Sequence, residues 1–204
     1  MDSTYNIYLL RHGKTEGPAA LNGITDVQVS DVVQSNIAEL LSAERLGFKT
    51  IVTSPLSRCR DLAERITSRD SSIEFAVEPR FQEMNFGDFD GKTFDELQPQ
   101  WNVLDSFWKD PANHSLPNAE SLQGCYSRVS GAWDEVVSEL NQDTLIICHG
   151  GTIRLILAHV LNVDWSNPSW YSTLNIANQS ITHIKILKSH QSAPHVQVIG
   201  KPLF

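Results

Sequence analysis

Leu9-Leu10-Arg11-His12-Gly13 is the stretch that decides the fold of this chain. The apolar residues from Ile7 to Leu10 predict a buried β-strand, with an arginine, a histidine and a glycine at its carboxyl end. Open α/β sheets bind their ligands at this end of the strands. Arg11 keeps its charge and offers a planar fork of donors, whereas a ring nitrogen of His12 can form a bond to phosphorus. The stretch therefore indicates phosphate chemistry.

A second stretch, near the other end of the chain, repeats this design. Leu145-Ile146-Ile147-Cys148-His149-Gly150-Gly151 is again an apolar strand followed by a histidine and glycines. The helix predicted from Gly151 to Leu161 opens directly after His149, and the free N–H groups at its start favour a bound anion. The two histidines at strand ends, His12 and His149, could converge on one site.

Two further motifs stand between these stretches, Thr53-Ser54-Pro55-Leu56-Ser57-Arg58 and Glu83-Met84-Asn85-Phe86-Gly87. In this order the four motifs resemble the histidine phosphatase superfamily, which is also called phosphoglycerate mutase-like. The resemblance covers most of the chain and implies phosphoryl transfer through a phosphohistidine. Read alone, Arg58 could lie on a solvated helix face, and Glu83 could be a surface carboxylate.

Phosphoryl transfer without a metal cluster needs fixed positive donors around the transferring group and an attacking atom in line with the leaving atom. The predicted phosphate-binding residues are Arg11, Arg58, His149, Gly150, Thr15 and Asn22. His12 is predicted as the nucleophile, with a backbone carbonyl bonded to the other ring nitrogen so that the attacking nitrogen is neutral. The leaving oxygen needs a proton, and Glu83, Asp88 and Asp90 are the nearby candidates. The resemblance implies Glu83, while Asp88 and Asp90 are interpreted as turn residues.

Strands that alternate with helices predict a doubly wound α/β fold, in which a mostly parallel sheet carries helices on both faces. We predict one domain over residues 1–204, with a partly helical cap inserted at roughly 79–117, because unstructured loops of this length are uncommon. Trp101 and Trp108 lie in the cap and could stack on an aromatic substrate. The predicted strands cover 7–10, 49–53, 73–77, 144–148, 180–187 and 195–199. The predicted helices begin at Ser30, Ser54-Pro55, Asn118 and Gly151.

The composition limits the partners. A net charge of −8 argues against general nucleic-acid binding, so an anionic substrate needs a local basic pocket. The three cysteines are far apart and the other histidines show no metal-ligand spacing, so we predict no metal and no cofactor. The first apolar run stops at Arg11, which predicts neither a secretory signal nor a membrane span. We expect a cytoplasmic protein with a small phosphomonoester as its partner, and its oligomeric state cannot be read from the sequence.

Within the superfamily, the sequence is similar to the alpha-ribazole phosphatases. Met84-Asn85-Phe86-Gly87-Asp88-Phe89-Asp90-Gly91 and His149-Gly150-Gly151-Thr152-Ile153-Arg154 carry this similarity, which implies hydrolysis of alpha-ribazole phosphate in cobalamin biosynthesis. Two positions depart from the pattern: Asn118-Ala119 stands where paired glycines precede Glu-Ser, and Leu62 replaces a threonine. A mutase is disfavoured because Gly17-Pro18 stands where mutases carry Trp-Asn. The alternatives are a phosphatase of sugar or glycolytic phosphates and a non-catalytic module that binds phospholigands.

Overall fold

A six-stranded mixed sheet forms the centre of the computed structural model, which describes residues 3–188 and 194–203. Its strands are β1 (Ser3–Arg11), β2 (Thr50–Thr53), β3 (Glu74–Val77), β4 (Thr144–Cys148), β5 (Ser180–Lys188) and β6 (Pro194–Pro202). They lie in the order β3-β2-β4-β1-β5-β6. The first four strands in this order are parallel to one another, and β5 and β6 complete the sheet in antiparallel pairing. The predicted mostly parallel sheet is confirmed.

Helices cover both faces of the sheet, as the α/β pattern predicts. They are α1 (Asp31–Glu44), α2 (Ser57–Arg69), α3 (Trp101–Lys109), α4 (Leu122–Glu139), α5 (Gly150–Val160) and α6 (Pro168–Thr173). Because side chains alternate along a strand, Ile7 and Leu9 pack in one core with residues of α4 and α5. Tyr8 and Leu10 pack in a second core with residues of α1 and α2. Leu62, at the position where the family pattern has threonine, is fully buried in this second core.

The register of the central strands brings the functional motifs to one edge. Arg11, the last residue of β1, pairs with Cys148, the last residue of β4. Thr53, the last residue of β2, pairs with Ile147. The residues that follow the three strands, His12, Ser54 and His149, therefore leave the sheet side by side.

Two helix starts differ from the prediction, because the capping partner is not the residue that the local sequence suggests. Helix α2 begins at Ser57 rather than at Ser54-Pro55, and the N–H of Ser57 donates to Asp26 Oδ1 at 2.8 Å. Helix α4 begins at Leu122, where the Ser121 hydroxyl accepts the N–H of Gly124 at 3.0 Å. Ser30 caps α1 as predicted, accepting the N–H of Val33. The short helix α6 was not predicted.

The segment predicted as a cap is partly helical. It contains α3 and three single 3₁₀ turns, at Pro79–Phe81, Gly87–Phe89 and Gln98–Gln100. Leu104 and Phe107 of α3 are buried in the same core as α4 and α5. The division into one domain with an inserted cap at 79–117 stays a prediction.

Membrane and thiol features can be stated for the described part of the chain. None of its helices has the length and apolar character needed to cross a bilayer. Cys59, Cys125 and Cys148 are buried free thiols.

Candidate active site

The predicted site residues surround a cleft of about 350 Å³ at the carboxyl edge of the sheet. Six of them line it: Arg11, His12, Thr15, Asn22, Arg58 and Glu83. His149 and Gly150 lie behind this surface and are buried. The structure thus brings residues from four separate motifs into one place.

His12 is held in one tautomer. Its Nδ1 lies 2.7 Å from the carbonyl oxygen of Gly13, which can only accept, so Nδ1 carries the proton and Nε2 keeps a free lone pair. Burial lowers the pKa of His12 to about 3, helped by the positive charge of Arg58, although the bond to Gly13 opposes this shift. The ring is therefore neutral near pH 7 and has one nitrogen available for attack. This is the arrangement expected from the sequence.

His149 lies edge-on to His12, with ring centroids 5.1 Å apart and planes inclined by 62°. Arg58 Nε donates to its Nδ1 at 3.2 Å, so the proton resides on Nε2 and is donated to Ser54 Oγ at 2.7 Å. Burial lowers the pKa of His149 well below its usual value, and the neighbouring His12 and Arg58 add to this shift. The sequence-based expectation of a positively charged donor at His149 therefore differs from the structure. His149 is neutral, and both of its ring nitrogens bind protein groups.

Arg58 is a buried cation rather than part of a solvated helix face, with only 1% of its surface exposed. Its Nη1 donates to the carbonyl of Thr25 at 2.8 Å and its Nη2 to that of Gly23 at 2.5 Å. A guanidinium has five N–H groups, so two remain after these bonds and the bond to His149. Arg58 is thus fixed by its surroundings while it lines the cleft.

Arg11 carries a buried donor that has no partner among the described residues. Its Nη1 donates to the carbonyl of Ile176 at 2.5 Å, whereas its Nε is buried and unpaired. The absence of a side chain at Gly150 leaves room for the guanidinium of Arg11, because a Cβ at position 150 would lie 3.3 Å from the guanidinium carbon. An unpaired buried donor costs about 1–3 kcal/mol, which an oxygen of a bound anion would recover. Burial also lowers the pKa of Arg11, and the charges of Arg154 and Arg58 add to this shift, although the charge of Glu83 opposes it.

Glu83 lies at the start of α5. Its Oε2 accepts the N–H of Gly151 at 3.0 Å, and its Oε1 accepts the N–H of Met84 at 3.1 Å. A Cβ at position 151 would come within 2.3 Å of Oε1, so the glycine provides the space for the carboxylate. We predicted that the N–H groups at the start of this helix, at Gly150, would face a bound anion. In the structure the N–H of the next residue, Gly151, binds the carboxylate of Glu83.

Arg128 and Glu120 hold the backbone on either side of Glu83, and no sequence signal pointed to Arg128. Its Nη1 donates to the carbonyls of Arg80 and Gln82, at 2.7 and 2.8 Å, and its Nη2 to that of Glu83 at 3.1 Å. The same guanidinium bonds both carboxylate oxygens of Glu120, at 2.6 and 3.0 Å. Glu120 in turn accepts the N–H of Asn85 at 2.8 Å. The Arg128–Glu120 pair therefore fixes the loop that carries Glu83.

Asp90 is also more than a turn residue. Its carboxylate accepts the N–H groups of Ile24, Thr25 and Phe86, at 2.9, 2.8 and 3.0 Å. It thereby joins the Glu83 loop to the loop whose carbonyls hold Arg58. Asp88, by contrast, contacts Asn118 at the surface, as a turn residue would.

One more side chain, that of Asn178, belongs to the phosphate cleft. Asn178 lines the cleft and donates to the carbonyl of His12 at 3.0 Å, although nothing in the sequence marked it.

Trp108 lines a second, adjoining cavity, whereas Trp101 packs against Trp108 with ring centroids 5.5 Å apart and does not line this cavity. Within residues 3–188 and 194–203, no three His, Cys, Asp or Glu side chains are grouped as metal ligands.

The chain is similar to several known proteins in sequence and in fold. The chain is 30% identical over 185 residues to "Putative phosphoserine phosphatase 2" of Hydrogenobacter thermophilus, covering 87% of this chain and 88% of that one. It is 25% identical over 190 residues to "Probable phosphoglycerate mutase GpmB" of Escherichia coli, covering 90% and 86%. The crystal structure of the alpha-ribazole phosphatase from Shigella flexneri has the same fold, with a TM-score of 0.79 at 21% identity and coverage of 96% of each chain.

The family model described as "Histidine phosphatase superfamily (branch 1)" matches residues 7–198, which include every motif discussed above. The relatives that the chain resembles include proteins named as a phosphatase and as a mutase. The chain therefore belongs to branch 1 of the histidine phosphatase superfamily and is a hydrolase of the phosphatase type.

Proposed function

We propose that this chain hydrolyses phosphate monoesters without a metal ion, through a phosphohistidine formed at Nε2 of His12. The observation that carries the proposal is the pairing of a neutral His12, with a free Nε2, and two arginines on the same cleft, Arg58 fully buried and Arg11 partly buried. Arg11 and Arg58 supply positive charge where the oxygens of a transferring phosphoryl group would gather. His149 contributes by accepting the hydrogen bond from Nε of Arg58, which fixes the guanidinium.

The reaction takes two displacements. In the first, Nε2 of His12 attacks phosphorus, the bond from phosphorus to the ester oxygen breaks, and Glu83 gives its proton to the departing alcohol. In the second, the Glu83 carboxylate takes a proton from water while the water oxygen attacks phosphorus and the phosphorus–nitrogen bond breaks. Inorganic phosphate leaves, and His12 and protonated Glu83 are restored.

For the substrate, alpha-ribazole phosphate is our first candidate, with alpha-ribazole and phosphate as products in cobalamin biosynthesis. The sequence similarity around Glu83 and His149 supports it, and so does the aromatic lining of the cavity beside Glu83. Phosphoserine or a sugar or glycolytic phosphate is the second candidate, favoured by the name of the 30% identical relative. The presence of His12, Arg11, Arg58, His149 and Glu83, the five positions that the proposed reaction uses, weighs against a non-catalytic binding module.

The decisive experiment measures hydrolysis of para-nitrophenyl phosphate in excess chelator. We expect turnover, inhibition by vanadate, and phosphate bound to the chain after a quench in alkali, where phosphohistidine is stable. His12→Ala should abolish all three signals, whereas His114→Ala, at an exposed histidine, serves as the matched control. Turnover that persists in His12→Ala would exclude the proposed nucleophile.

The substrate is then chosen by comparing kcat/KM for alpha-ribazole phosphate, phosphoserine, phosphoglycerates and fructose bisphosphates. The first candidate requires a kcat/KM for alpha-ribazole phosphate at least tenfold above the others. A higher value for phosphoserine would favour the second candidate.

A further inference from the structure

A cavity of about 540 Å³ adjoins the phosphate cleft, and Glu83 lines both. Most of its walls are apolar side chains from the cap and from α4, α5 and α6. The aromatic members are Phe86, Phe107, Trp108 and Tyr171. Phe86 and Phe107 meet edge to face, with ring centroids 6.2 Å apart. The volume is sufficient for a group of one or two rings.

Arg154 supplies the positive charge in this cavity. Its Nε donates to the carbonyl of Leu174 at 2.8 Å, which fixes the side chain, while its Nη groups form no hydrogen bond with any residue that the structure describes. Trp170 fixes the backbone at the same point, because its indole N–H donates to the carbonyl of Arg154 at 2.8 Å. Arg154 is partly buried beside these apolar walls and near the charge of Glu83, and its Nη groups can donate to an acceptor on the ligand.

The order of the groups gives a direction to the bound ester. Glu83 lines both the cleft that holds His12, Arg11 and Arg58 and the cavity that holds Arg154, so it stands where the two spaces meet. An acid that protonates the leaving oxygen has to stand between phosphorus and the rest of the alcohol. The alcohol therefore extends past Glu83 into the cavity.

We propose that this cavity selects phosphomonoesters whose alcohol carries an apolar ring system together with a hydrogen-bond acceptor that Arg154 binds. Trp108 and Arg154 are then specificity-determining residues. The proposal rests on the proposed function and adds the class of alcohol that the enzyme accepts. The acceptor is a carboxylate or a hydroxyl, and the experiment below distinguishes these two sources.

The first test compares ethyl, benzyl and naphthylmethyl phosphate with the unmodified protein. All three esters release alkyl alcohols, so their need for the proton of Glu83 is similar and the ring size is the variable. We expect kcat/KM to rise at least tenfold from ethyl to benzyl phosphate and to rise again for naphthylmethyl phosphate. A flat series in an active enzyme would overturn the proposal.

Trp108→Ala, on an exposed part of α3, should reduce the ratio of kcat/KM for naphthylmethyl to ethyl phosphate at least fivefold. Lys109→Ala is the control, because Lys109 is the exposed neighbour of Trp108 in the same helix and does not line the cavity. The control should keep the ratio within twofold. An equal reduction in both variants would contradict the assignment of Trp108 to the cavity.

Arg154→Met tests the acceptor, with phosphoserine as the carboxylate ester, glycerol phosphate as the hydroxyl ester and ethyl phosphate as the ester without an acceptor. We expect kcat/KM to fall at least tenfold more for one or both acceptor esters than for ethyl phosphate, and the larger loss identifies the acceptor. An equal loss for all three would refute the role of Arg154.

These outcomes separate the two proposals. Persistent turnover in His12→Ala removes the proposed function, whereas a flat ring series with a His12-dependent enzyme removes only the selection by the cavity.

Discussion

Replacement of Arg128 by methionine is expected to weaken both the fold and the acid step. Methionine keeps the apolar stem of the side chain but donates to none of the carbonyls of Arg80, Gln82 and Glu83. The loop that positions Glu83 then loses its main anchor, and Glu120 loses its partner. The structure therefore predicts one effect on stability and a separate effect on catalysis.

The size of the stability effect follows from burial. Removing one partner of a buried ion pair costs about 3–5 kcal/mol. The side chains of Arg128 and Glu120 are 19% and 22% exposed, so water screens the remaining charge of Glu120 in part. We therefore expect the free energy of unfolding to fall by ~3 kcal/mol. Adding Glu120→Gln to Arg128→Met should recover ~1 kcal/mol or more, because it removes the unpaired charge. Urea unfolding of the single and double variants measures both values.

The catalytic effect is measured with two leaving groups. General acid catalysis contributes about 10²–10⁴-fold, and an alkyl alcohol needs it far more than an activated aryl group. We expect kcat of Arg128→Met to fall at least tenfold more for ethyl phosphate than for para-nitrophenyl phosphate. Arg69→Met, which removes an exposed arginine with one 3.5 Å contact to Glu39, is the control and should change neither quantity. Equal losses for both substrates in a folded variant would refute the positioning of Glu83 by Arg128.

Two further expectations concern the glycines and the pH dependence. Gly151→Ala should lower kcat for ethyl phosphate at least tenfold, because its Cβ would displace Glu83, and an unchanged kcat would contradict the placement of the carboxylate. Gly131→Ala has open space around its Cβ, so it should raise the free energy of unfolding by up to ~1 kcal/mol without loss of activity. Burial lowers the pKa of His12 to about 3, so between pH 6.5 and about 3 the unfolded chain binds a proton that the folded chain does not, and the free energy of unfolding falls by up to ~1.4 kcal/mol for each unit by which the pH decreases. Burial also lowers the pKa of His149 well below its usual value, so this ring adds a loss of stability in the same direction as the pH decreases. Unfolding measured at several pH values should show a shallower slope in His149→Asn, and an equal slope would refute the burial of a neutral ring.

The sheet and its ligand edge could be predicted because they depend on local patterns. Runs such as Ile7 to Leu10 and Leu145 to Cys148 are apolar enough to be buried on both faces, and parallel strands share a carboxyl edge. The convergence of His12 and His149 follows from that geometry, and the motif order added Arg58 and Glu83. The hydrogen bond from His12 to a backbone carbonyl was also foreseeable, because a nucleophilic imidazole needs a fixed tautomer.

The parts that were missed depend on partners far away in the chain. Asp26 caps a helix that begins 31 positions later, and Arg128 binds a loop that lies 45 to 48 positions earlier. Neither contact leaves a periodic signal, because a single polar residue on a helix face looks like any solvated residue. The neutral state of His149 was missed for a similar reason: its charge depends on burial and on Arg58, which the motif alone does not reveal.

Electrostatics connects these observations. A chain with a net charge of −8 can bind a phosphate only where local cations are shielded from the rest of the surface. Arg58 meets this requirement by full burial and Arg11 by partial burial, and burial also keeps His12 and His149 neutral. If His12 were protonated its attacking nitrogen would be blocked, so the arginines serve both to attract the anion and to keep the nucleophile free. Substitution of Arg58 by a neutral residue would therefore weaken phosphate binding and raise the pKa of His12 at the same time, which couples affinity and nucleophile availability in one side chain.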